Sequence, residues 1–187
     1  MQDETFPHRP TPKRPATGWQ AWQATVGYIY AEHSSDVALT ITAYPRAQGV
    51  VGWSASIMWG SSAESRHNEG SLASALCSLW SKIEASHTLF KSLDAAVRRP
   101  ANYNDDEWLD IPTASALNRL LGITMMAFIT DWRIAMIYQP VDNPDYRVRA
   151  TLSARRDTVQ FEVHAPSLRD TCQILYRSTA SYYARQQ

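Results

Sequence analysis

Twice along this chain an apolar/polar alternation of period two gives way to an apolar repeat of period 3.6, and that double switch restricts it to sheets backed by helices. In the first block Trp22, Ala24, Val26 and Tyr28 alternate with Gln23, Thr25 and Gly27. Leu39, Ile41 and Ala43 then alternate with Thr40, Thr42 and Tyr44, and Trp53, Ala55, Ile57 and Trp59 with Ser54, Ser56 and Met58. Successive side chains on a strand point to opposite faces, so the pattern predicts three half-buried antiparallel strands, broken at His33 to Asp36 and at Pro45 to Gly49. Ser61 to Gly70 reads as a polar loop. From Ser71, an N-cap residue, Leu72, Leu76, Leu79, Trp80 and Ile83 mark one helical face, and helical spacing continues through Leu89, Phe90, Leu93 and Val97 until Pro100 stops it.

Residues 100–112, with Asp105, Asp106, Glu107 and Asp110, read as an acidic linker. Thr113 then caps a short helix through Leu117, Leu120 and Leu121, with Gly122 as its C′ glycine. The β-branched Ile123, Thr124, Ile129 and Thr130 favour a strand over 123–129. Strands at Trp132 to Gln139, Tyr146 to Arg155 and Thr158 to His164 follow, closed by a helix over 167–185 with Ser167 as its N-cap. The expected class is α+β, one domain over 18–187 built of two antiparallel strands-then-helix halves. The first is βββα over 18–99 and the second αβ(β)ββα over 113–187. Ser71-Leu72 with Leu79-Trp80 matches Ser167-Leu168 with Leu175-Tyr176 at one fixed spacing, the trace that an internal duplication would leave. Residues 1–17 hold Pro7, Pro10, Pro12 and Pro15 and few apolar side chains, and are expected to form a disordered tail.

Composition narrows the function classes. The 187 residues are 44% apolar, with seven Trp and nine Tyr, enough to bury a substantial core. Formal net charge is zero, which argues against a long-range field for nucleic acid or anionic membrane while leaving room for a local patch. Fifteen Arg against three Lys is a skew that suits bidentate contacts, although GC-rich codon usage produces the same bias. Cys77 and Cys172 lie outside any Cys-x-x-Cys pair and fit a reduced, cytoplasmic chain. No secretory segment opens the sequence, and the longest apolar run, Ile123 to Ile129, is too short to span a bilayer, so no membrane association is expected.

No catalytic signature stands out. Gly49-Val-Val-Gly52 lacks the Lys, spacing and helix of a phosphate loop, and no Gly-x-Ser-x-Gly elbow occurs. Glu64, His67 and Glu69 could ligate a metal or move protons, but read better as a polar approach to a helix. The Asp105, Asp106, Glu107, Asp110 group lacks the glycine and spacing of a calcium loop and reads as solvated linker. His164 ends a strand beside Gln160 and Glu162 and reads as a surface residue. No catalytic, cofactor or metal residue is therefore expected.

Two features point to binding instead. Tyr146, Val148, Ala150 and Leu152 form the inward face of one strand, which turns Arg147, Arg149 and Arg155 outward. Arg133 on the neighbouring strand and Arg156 in the turn could join them in a basic stripe suited to single-stranded nucleic acid. Trp19, Trp22, Trp53 and Trp59 fall in adjacent expected strands, more indole than one half-core needs, and are candidates for a protein interface. The strands-then-helix order resembles that of single-stranded nucleic-acid binders of the Whirly and Pur type. The step into Gly70-Ser71-Leu72-Ala73-Ser74-Ala75-Leu76 resembles that of HicB-type antitoxins. Both likenesses are topological, bring no diagnostic residues and assign no family. The expected function is a non-enzymatic interaction module, a subunit of a homo- or hetero-oligomeric assembly with a protein partner. Single-stranded nucleic-acid binding is the alternative.

Overall fold

Thr17 closes the first turn of a helix, its Oγ1 accepting the Gln20 N–H at 3.2 Å, in a stretch whose alternation predicts a strand. The computed structural model describes residues 17–33, 36–86, 107–143, 145, 147–156 and 158–187, and in it α1 spans Gly18–His33. Trp22, Val26 and Ile29 are fully buried, whereas Ala24 and Tyr28 are exposed. The same residues carry both a period-two and an i, i+4, i+7 pattern. Gln20, Ala21, Gln23 and Ala24 are good helix formers, so propensity and the Thr17 cap favour the helix.

Val37–Pro45 (β1) and Val51–Trp59 (β2) pair antiparallel as expected, with Leu39 opposite Ile57 and Ile41 opposite Ala55. Ser62–Glu69, expected as loop, is a third strand, β3, paired with β2 at the edge of the sheet. Leu72–Ser86 forms α2, and Ser71 caps it, its Oγ accepting the Ser74 N–H at 3.0 Å. The strand β3 shows no apolar alternation because its helix-side residues are themselves polar. Glu64 meets Lys82 of α2 at 2.6 Å, and Arg66 Nε donates to the Ser78 carbonyl at 3.3 Å. Of the expected tail over 1–17 only Thr17 is described, buried at the start of α1; residues 1–16, the helix beyond Ser86 and the linker as far as Asp106 lie outside the described residues.

In the second half α3 spans Ile111–Phe128. Its cap is Asp110, whose Oδ1 accepts the Thr113 N–H at 2.7 Å, and Pro112 sits in the first turn, where its missing N–H costs nothing. Thr113 is thus inside the helix, and Gly122 does not end it. Leu117, Leu120, Leu121, Thr124 and Phe128 carry one buried stripe straight through the glycine, and 123–128 is helix where a strand was expected. Then come β4 (Trp132–Tyr138), β5 (Val148–Ala154), β6 (Val159–Ala165) and α4 (Leu168–Ala184). Ser167 caps α4 as expected, its Oγ accepting the Asp170 N–H at 3.1 Å.

The class is α+β: one six-stranded antiparallel sheet in the order β3-β2-β1-β4-β5-β6. Among the described residues each half has the order αβββα: the first gains a helix in place of the first of its three expected strands and a strand, β3, in place of the expected loop, and the second matches the expected αβ(β)ββα without its optional strand. The halves join where β1 pairs with β4, Ile41 opposite Met136. Helix and strand side chains share one core, in which the Trp22 and Trp80 rings meet edge to face at 5.5 Å. The four described helices pack on the same face of the sheet, and among the described residues no helix covers the other. None of these helices is long and apolar enough to cross a membrane.

Candidate interaction surface

Strand periodicity dictates what the uncovered face displays. One rung crosses all six strands as Ser65, Ser56, Thr40, Ile137, Arg149 and His164. The next carries Ser54, Thr42, Ala135, Thr151 and Glu162. Among the described residues the β1–β3 half is mostly short and hydroxyl-bearing, with Tyr44 and His67 as its larger polar groups, Met58 as its exposed large apolar group, and Thr42 buried. The β4–β6 half is charged. There Arg133 and Arg149 are exposed, and His164 Nε2 lies 3.2 Å from Glu162 Oε1.

The expected stripe of five arginines is broken. Arg133 and Arg149 share the open face, with Ser153 and Thr151 between them on the ladder. Arg147 precedes β5 at the rim. Burial raises the Tyr138 hydroxyl above its usual pKa, and the Arg147 charge pulls it part of the way back. Arg155 leaves the face altogether. It and Arg156 take φ of 52° and 54°, the left-handed region, and this turn swings the Arg155 guanidinium to 5.7 Å over the Tyr182 ring of α4. Arg156 is held in the turn by its backbone N–H, which donates to Asp131 Oδ2 at 2.9 Å.

The indoles are placed inside. Trp19, Trp22 and Trp53 are buried in the chain's own core and Trp59 is half-buried against it, so none of the four lies on the open face. The surplus of tryptophan is explained by α1, which lays Trp19 against Tyr138 and Trp22 against Trp80. Glu64 and His67 do not converge either. Strand alternation sends Glu64 to Lys82 on the helical side, while His67 lies 3.1 Å from Ser65 Oγ on the open side. Among the described residues no group of three His, Cys, Asp or Glu side chains could hold a metal. Asp110, from the acidic linker, serves as a helix cap. Cys172 is buried, its thiol pushed up to about 12, and is therefore inert near neutrality.

A second basic set, Arg119, Arg169 and Arg177, gathers round a cleft between α3 and α4 on the helical side. The spacing of Arg169, Gln173 and Arg177 on one helix face was its only signal in the sequence. Neither protein-family models nor curated proteins match this sequence.

Proposed function

We propose that this protein is a non-enzymatic interaction module, a subunit of a homo- or hetero-oligomeric assembly in the cytoplasm. The observation that supports the reading is the sheet, which is backed by helices on one side, while among the described residues no helix covers the other. Six strands about 4.8 Å apart and roughly seven residues long present a face of roughly 600 Å². A stable interface takes about 800 Å² from each partner, so this face and a modest rim suffice. Ser, Thr and Ala side chains lose little rotamer freedom on burial, and the strand backbone beneath them is already hydrogen-bonded. The two halves of the face are unlike. Two copies related by a two-fold axis parallel to the strands would lay the hydroxyl half of one against the charged half of the other, so that Arg149 meets hydroxyl acceptors and not a second guanidinium. A second copy is therefore the first partner to test. Neither Cys77 nor Cys172 is in a disulfide, which suits a reducing compartment.

Mass in solution, measured by light scattering, tests this. The native chain is expected to be a dimer or larger. A variant with Thr40→Arg and Ser56→Arg, which sets two guanidiniums in the middle of the face, is expected to be a folded monomer. A native chain that stays monomeric at high concentration rejects self-assembly. The exposure of Arg133 and Arg149 on one face favours a second reading, single-stranded nucleic-acid binding. Each lost phosphate contact lowers the log–log salt slope by about 0.7, so Arg133→Gln with Arg149→Gln would flatten it by more than one unit. Absence of salt-dependent binding at low ionic strength removes that reading.

A further inference from the structure

Helices α3 and α4 run parallel. The Arg119 guanidinium lies 4.7 Å over the ring of Tyr176, and farther along Phe128 meets Tyr182 at 5.5 Å. Between their N-terminal halves opens a cleft of about 340 Å³, lined by Pro112, Tyr176 and Gln173 and by three arginines, Arg119, Arg169 and Arg177. No carboxylate lines it. The acidic residues closest in sequence serve the helix ends: Asp110 accepts the Thr113 N–H, and Asp170 accepts the Ser167 hydroxyl at 2.6 Å. Among the described residues none of the three arginines has an ion-pair partner.

Arg119, Arg169 and Arg177 are all solvent-exposed, and three like charges round one hollow repel each other, a repulsion that an anion between them would relieve. The parallel packing turns the positive ends of both helix dipoles toward the same end of the cleft and adds to the field. Stacking on Tyr176 holds the Arg119 fork in place, which lowers the entropy lost when it grips a ligand. A guanidinium pairs with oxyanions two bonds at a time, so three of them match a group with several charged oxygens better than a single carboxylate. The volume lies at the small end of ligand pockets, which run from about 300 to 1,000 Å³.

We infer that this cleft binds a compact small molecule of the phosphate class bearing two or more oxyanion groups, a diphosphate or a bisphosphorylated metabolite. The inference does not depend on the open sheet face. Titration calorimetry on the full chain tests it with inorganic pyrophosphate as the probe and inorganic phosphate as the comparison. Pyrophosphate is expected to bind with one-to-one stoichiometry and at least about tenfold more tightly than phosphate. A variant with Arg169→Gln and Arg177→Gln is expected to lose about tenfold or more, since charge-assisted hydrogen bonds are the strong ones. Its melting temperature without ligand should not fall, because only repulsion has been removed, and its mass in solution should match the native chain. Arg133→Gln with Arg149→Gln, on the opposite side of the sheet, should leave pyrophosphate affinity unchanged. Failure of pyrophosphate to bind at millimolar concentration overturns the inference. So does an equal loss in the sheet-face variant, which would mean diffuse charge attraction. Tighter binding of an octaglutamate peptide than of pyrophosphate would also overturn it, in favour of an extended acidic partner.

Discussion

Ile129 ends α3 with φ 56° and ψ −79°, its N–H bonded to the Met125 carbonyl at 3.0 Å. A β-branched residue in that region is strained, because its Cβ crowds the adjacent carbonyl. The side chain is 73% exposed, so little apolar burial compensates. Ile129→Gly is therefore expected to raise stability by about 1–2 kcal/mol. In urea unfolding the midpoint should rise with the slope unchanged. A lower midpoint would mean that the isoleucine makes a contact worth more than the strain. Close approach, not conformation, governs Gly18. A Cβ there would lie 2.5 Å from Cε3 of Trp108, whose carbonyl accepts the Trp19 N–H at 3.0 Å. That contact seats a residue of the supposed linker in the core.

At the scale of elements, α3 shows how a glycine misleads. Gly followed by β-branched residues favours a helix stop and a new strand, and both signals are present at Gly122. They are outweighed by the buried stripe from Leu117 to Phe128 and by Thr124, whose hydroxyl bonds back to the Leu120 carbonyl at 2.8 Å. The glycine does not adopt positive φ, and a Cβ on it would meet nothing within 4 Å. Gly122→Ala is therefore expected to stabilise the protein by about 0.5–1 kcal/mol, the ordinary gain inside a helix. Thermal melting reads this directly. A loss of stability would place Gly122 at a left-handed helix end after all. The edge strand β3 teaches the complementary lesson, since Glu64 and Arg66 are polar residues held on the helical side by α2.

For the whole molecule, the decisive junction is β1 against β4. Among the described residues both halves have the order αβββα, yet their apolar side chains merge in one core rather than two. Ile41 and Met136 face each other at that junction, and both are buried. Unfolding is therefore expected to be a single transition for the entire chain. Ile41→Ala should shift it by about 2–5 kcal/mol, the cost of a buried cavity, without splitting it. Two resolved transitions, only one of them displaced, would show that the halves unfold separately.

What the sequence determined by itself was local. Alternation in Leu39 to Ala43, Trp53 to Trp59 and Val148 to Leu152 identifies strands, and Ser71 and Ser167 identify helix starts, because periodicity and capping depend on residues a few positions apart. The α+β class follows from those alone. Tertiary structure decided the rest. Residues 19–29 satisfied two periods at once; helix propensity and the Thr17 cap lean toward the helix, and packing of Trp22 on Trp80 fixes it. Arg155 belonged to the open face by counting, and a turn with two positive φ values carried it to Tyr182 on the other side. Arg119 stands far along the chain from Arg169 and Arg177 and is brought beside them by the parallel packing of α3 on α4. Side chains distant in sequence meet only through the burial of helices against a shared sheet, and no local pattern encodes which of them will.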